Sequence, residues 1–93
     1  MKAFYKNTII AESGKTVVVE NNHYFPSDSV KMEYLQKSGN TYKCKWKGLA
    51  DYYNVVVGGD TLQDAAWVYP EPSEAAKQIK GHFAFWKGVT VSE

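Results

Sequence analysis

Thr41-Tyr42-Lys43-Cys44-Lys45-Trp46 alternates strictly, Lys47-Gly48 breaks the pattern, and Tyr52-Tyr53-Asn54-Val55-Val56-Val57 resumes in aromatic and β-branched residues. A period of two is the signature of a half-buried strand, so this stretch predicts a strand, a glycine-containing bend and a returning strand. Tyr42, Cys44 and Trp46 fall on one face, with Thr41, Lys43 and Lys45 on the other.

The same reading extends outward. Residues 3–6 and 8–12 predict two strands around Asn7, and residues 16–20 a third after the Ser13-Gly14-Lys15 loop. Asn21-Asn22 forms a turn, and Pro26 stops any strand through His23-Tyr24-Phe25 because it has no N–H to donate. Ser27 and Asp28 suit one helical turn. Residues 32–36 fit a short strand, and Lys37-Ser38-Gly39-Asn40 a turn. Beyond Val57, Gly58-Gly59-Asp60 turns the chain and residues 65–69 form a strand ending at Pro70. Ser73 caps a helix through Ile79, with Gly81 after its end. Residues 82–86 and 89–91 predict a last hairpin around Lys87-Gly88. Seven to nine short strands, one short helix and turn signals every 8–12 residues predict a mainly β fold of two antiparallel sheets.

Composition bounds the rest. A 93-residue chain of 10.5 kDa buries roughly 64% of its unfolded surface, enough for one small core. Residues 1–93 are therefore read as a single domain. The net charge of +1 argues against a nucleic-acid partner held by bulk charge. No apolar run approaches a membrane span, and the first residues lack an apolar signal core. Cys44 is the one cysteine, so no intrachain disulfide forms, and the expected compartment is cytoplasmic. Cys44, His23 and His82 lack metal-ligand spacing, and no cofactor is expected.

The bend at residues 44–53 is the chemistry-bearing constellation. A glycine bend can aim backbone N–H groups and a lysine at an anion. Cys44 is either a small core residue on the Tyr42/Trp46 face or a thiol activated by nearby lysines; Lys43 and Lys45 point away from it. Trp67-Val68-Tyr69-Pro70-Glu71-Pro72 carries rings that either pack in the core or stack on a planar ligand. Three Trp, seven Tyr and four Phe exceed what one small core needs, which leaves rings for a pocket or a partner surface.

Four blocks carry a further resemblance: His23-Tyr24-Phe25-Pro26; Cys44-x-Trp46-Lys47-Gly48-x-Ala50-x-Tyr52-Tyr53; Ala65-Ala66-Trp67-x-Tyr69-Pro70-x-Pro72; and Ile79-x-Gly81-x-x-Ala84-Phe85. Nearly the whole chain resembles the bacterial and fungal "domain of unknown function 427" family. Lys45 stands where that family's pattern has proline after the cysteine. The resemblance implies a β-tent-like pair of leaning antiparallel sheets, similar to methionine sulfoxide reductase B. Such relatives often carry a four-cysteine zinc site, which one cysteine cannot build. The family's nucleotidyltransferase-like label finds no supporting residues here.

These readings converge on a binding site of Cys44, Trp46, Lys47, Gly48, Tyr52, Trp67 and Tyr69 for a small polar or anionic ligand. Two alternatives stay open: a thiol enzyme using Cys44, and a protein–protein adaptor or homodimer with exposed rings and an edge strand.

Overall fold

The computed structural model describes all residues, Met1–Glu93. Nine strands occur in chain order: β1 (Lys2–Tyr5), β2 (Thr8–Glu12), β3 (Val17–Val19), β4 (Asn22–Tyr24), β5 (Leu35–Cys44), β6 (Gly48–Val57), β7 (Asp60–Val68), β8 (Phe83–Phe85) and β9 (Thr90–Ser92). All strand pairing between them is antiparallel, so the fold is mainly β, as the alternation predicts.

Three sheets form where two were expected: β2-β1-β9, β3-β4 and β5-β6-β7-β8. Two-residue turns of the mirror-image type join β1 to β2 at Lys6-Asn7, β3 to β4 at Glu20-Asn21, and β6 to β7 at Gly58-Gly59, all with positive φ. This twist matches that of paired strands and favours asparagine and glycine at such positions. The small β3-β4 sheet is tied to the large one where Phe25 and Phe83 exchange backbone hydrogen bonds of 2.7 and 2.9 Å.

Five local expectations are corrected. The Lys37-Ser38-Gly39-Asn40 signal is a bulge inside β5, not a turn, with Gly39 at φ +90° absorbing the extra residues. Residues 32–34 form a 3-10 turn before the strand begins at Leu35. The helix after Ser73 is a pair of 3-10 turns, Glu74–Ile79, broken at Ala76 (φ −119°, ψ 21°). The Ser73 hydroxyl donates to the Trp46 carbonyl and does not cap those turns. The last hairpin is a corner instead: β8 pairs with β7, β9 pairs with β1, and the Lys87-Gly88 turn carries the chain between sheets.

The two faces of the β5–β8 sheet serve different ends. One face sends Val55, Ala66, Val68, Phe83 and Phe85 into the larger core, where they meet Ala3, Ile10 and Ala11 of the β1 sheet. A second bulge, in β7, lets the adjacent Ala65 and Ala66 both enter that core. The other face holds a smaller cluster of Tyr24, Ala50, Tyr69, Ala76, Ile79 and Ala84. Its remaining rings are left uncovered beside that cluster, and there the candidate site lies.

Candidate functional site

The bend between β5 and β6 spans residues 45–47, so the strand ends at Cys44 and Trp46 sits in the turn. Gly48 follows at φ +110°, a backbone shape that side-chain-bearing residues rarely adopt. A Cβ there would stand 3.4 Å from the Ser73 nitrogen and 3.5 Å from the Glu71 oxygen. The bend is thereby seated against residues 71–73, and the Ser73 N–H donates to the Lys47 carbonyl at 2.9 Å. This clamp turns the Lys47 side chain inward.

Lys47 is the one buried charged residue, 7% exposed. Its ammonium pairs with Glu20 at the tip of the β3–β4 hairpin, so two hairpin tips meet at one ion pair. The same ammonium lies 5.7 Å from the centre of the Tyr69 ring and 5.3 Å from that of Trp46. Burial draws the Lys47 pKa down, but the Glu20 hydrogen bond and the charges around it outweigh this, and the net shift is upward. Glu20 is held below the usual carboxylate range by hydrogen bonds from Lys47 and then Trp46.

A cavity of about 390 Å³ opens beside Lys47, lined also by Asn22, Tyr42, Ala50, Tyr52, Trp67, Tyr69 and Trp86. The lining follows from register. Tyr42 pairs with Ala50, Tyr52 with Trp67 and Trp67 with Ala84, and residues two apart share a face. Tyr52 and Trp86 lie nearly parallel with centroids 6.4 Å apart, and Trp67 meets Trp86 edge-on at 5.5 Å.

Both cavity indoles spend their N–H groups on acceptors within the protein. Trp67 donates to the Tyr24 hydroxyl at 3.1 Å, and Trp86 to the Asp64 carbonyl at 2.6 Å. They therefore present carbon faces to the cavity, and polar contacts come from Lys47, Asn22 and the tyrosine hydroxyls. Burial pushes Tyr69 well up, with Tyr24 and Cys44 beside it adding to the shift. Tyr52 is raised by burial, then by Asp64 and Tyr42. Both phenols stay protonated at neutral pH and can donate.

Tyr24 is fully buried and is the acceptor that fixes Trp67. A Tyr24→Phe variant leaves that indole N–H without its partner, and stability is expected to fall by about 1–2 kcal/mol. Urea denaturation checks this; an unchanged midpoint would mean that the indole does not depend on the hydroxyl.

Of the seven residues singled out in the sequence, Lys47, Tyr52, Trp67 and Tyr69 line the cavity together. Cys44, Trp46 and Gly48 do not. Cys44 is half-buried against the smaller core cluster. Trp46 is 41% exposed, with its indole N–H 3.4 Å from Glu20. Gly48 shapes the bend from behind. Asn22, Tyr42, Ala50 and Trp86 were not singled out. The alternation does place Tyr42 on the Cys44 face and Trp86 with Ala84, but the pairing of β8 to β7 is what brings Trp86 across. His23 and His82 stand apart from the cavity lining: their Nδ1 atoms lie 2.9 Å from the Thr16 hydroxyl and the Lys80 carbonyl. No group of three metal-ligating side chains is present, and no helix is long and apolar enough to cross a membrane.

No curated protein matches this sequence. A family model does: residues 1–92 match the model for "Domain of unknown function (DUF427)", and the chain belongs to that family.

Proposed function

We propose that the cavity on the open face of the β5–β8 sheet binds a small molecule with a flat apolar body and one anionic group. The observation that carries this reading is the Lys47 ammonium, buried yet lining a cavity otherwise built of rings. Burying a charge costs several kcal/mol unless something repays it, and Glu20, the partner that does so, is itself half-exposed. One carboxylate does not use all three ammonium donors, and the remainder can meet a ligand. The volume lies within the usual range for ligand pockets, and the division into ring faces and a few polar groups is what such pockets show. Cys44 lies outside the cavity lining, so the geometry lends less to a thiol mechanism than to binding.

Two fluorophores of similar size test the charge requirement. Anilinonaphthalene sulfonate carries one negative charge, and N-phenylnaphthylamine carries none. The folded protein is expected to bind the sulfonate at least tenfold more tightly, read by fluorescence titration, a gap of about 1.4 kcal/mol. Equal affinity, or none for the sulfonate, would remove the reading.

A further inference from the structure

Glu20 is not among the cavity-lining residues, yet it grips the one cation that is. Its carboxylate is held by Lys47 and, at 3.4 Å, by the Trp46 indole N–H. A ligand anion at Lys47 thus meets an ammonium whose charge is already balanced by a carboxylate on the far side. The other charge-bearing groups around the cavity reinforce this. Tyr24, Tyr69 and Tyr52 remain neutral phenols. Asp64 stands close enough to act on Tyr52 and adds a second carboxylate at the ring end. No other cation lines the cavity.

We infer that Glu20 is a specificity-determining residue that restricts the cavity to singly charged anions and rejects doubly charged ones such as phosphate monoesters. This rests on the binding reading above and names the charge class of the ligand. Coulomb energy is linear in the ligand's charge. A monoanion gains one increment from Lys47 and loses one to Glu20. A dianion doubles both, and its repulsion from Asp64 doubles likewise, so the net attraction only doubles, whereas the cost of stripping water from the anion rises with the square of its charge and about quadruples. Because Glu20 keeps the attraction to Lys47 small, that quadrupled cost outweighs it for a dianion, while a single charge still gains from the free Lys47 donors.

The linearity supplies the test. Benzenesulfonate and phenylphosphonate have almost the same shape, and at about pH 9 the first carries one negative charge and the second two. In the natural protein Lys47 remains protonated there, because its pKa is raised from 10.5; the variants lack the Glu20 contribution to that rise, so their displacement is repeated at about pH 8, where phenylphosphonate still carries close to two charges. Each compound is used to displace anilinonaphthalene sulfonate from the folded protein and from Glu20→Gln and Glu20→Asn variants. The asparagine variant guards against misfolding. Glu20 has φ +53° at the first position of its turn, where asparagine is at ease. In the natural sequence benzenesulfonate is expected to bind more tightly. In the variants, if benzenesulfonate gains about fivefold, phenylphosphonate gains about twenty-five-fold, the square of the first factor.

An equal gain for the two compounds, or no gain, overturns the role of Glu20 while leaving the binding reading intact. Failure of the natural protein to bind the fluorophore at all overturns both.

Discussion

A Gly48→Val variant is expected to lose about 3 kcal/mol of folding stability. The first cause is local. At φ +110° a residue with a Cβ is strained by about 1–3 kcal/mol, so alanine alone should cost about 1–2 kcal/mol. The second cause is what lies opposite. The Cβ position already touches the backbone of residues 71–73 at 3.4–3.5 Å, and the extra methyl groups of valine must displace main chain that cannot rotate away. Doing so breaks the Ser73-to-Lys47 hydrogen bond and frees the bend that aims Lys47. In a chain of this size 3 kcal/mol lowers the melting temperature by about 12–24 °C. Gly14→Val is the control: Gly14 is exposed with nothing within 4 Å of its Cβ position, and its cost should stay within about 0.5 kcal/mol. Thermal melts of the three variants separate the terms. A Gly48→Val protein as stable as Gly14→Val would mean that the bend is not clamped as described.

Lys47→Met should weaken binding of anilinonaphthalene sulfonate by more than about tenfold while leaving the fold intact. Methionine keeps the apolar stem that packs beside Tyr69 and removes only the charge. Removing one partner of an ion pair is costly where the other charge stays buried, but Glu20 is exposed enough to return to water. Loss of affinity with an unchanged melting temperature therefore reads the ammonium's interaction with the ligand's anion. Tenfold corresponds to about 1.4 kcal/mol, a modest demand on a charge-assisted contact in a half-dry site. Unchanged affinity would assign Lys47 a purely structural role as the bond between two hairpin tips.

The local chemistry of strands was legible in the sequence; their long-range partners were not. Alternation at residues 41–46 identified β5 and the face that carries Tyr42. Lys47-Gly48 marked the bend, although the bend begins three residues before β6 and draws Trp46 out of the strand. Lys37-Ser38-Gly39-Asn40 reads as a turn because bulges and turns use the same residues: both need a glycine at positive φ. Lys87-Gly88 predicted a hairpin for the same reason, since a corner between sheets and a turn within one look alike locally. That misreading hid the pairing of β8 with β7 that carries Trp86 to the cavity. Ser73 promised a cap, but its hydroxyl is committed to the Trp46 carbonyl, and the following turns tighten to 3-10 geometry. Glu20 carried no signal at all: its role exists only because two hairpins, distant in sequence, fold their tips together.

The three tryptophans offer the most direct test. Each indole N–H gives a separate nuclear magnetic resonance signal, and only Trp67 and Trp86 line the cavity. Titration with anilinonaphthalene sulfonate is predicted to shift those two indole signals together with the Lys47, Ala50 and Tyr52 amides, and to leave the exposed Val18 and Met32 unmoved. Shifts centred on Val18 or Met32, or no shift at saturating fluorophore, would contradict a ligand seated between Lys47 and the rings.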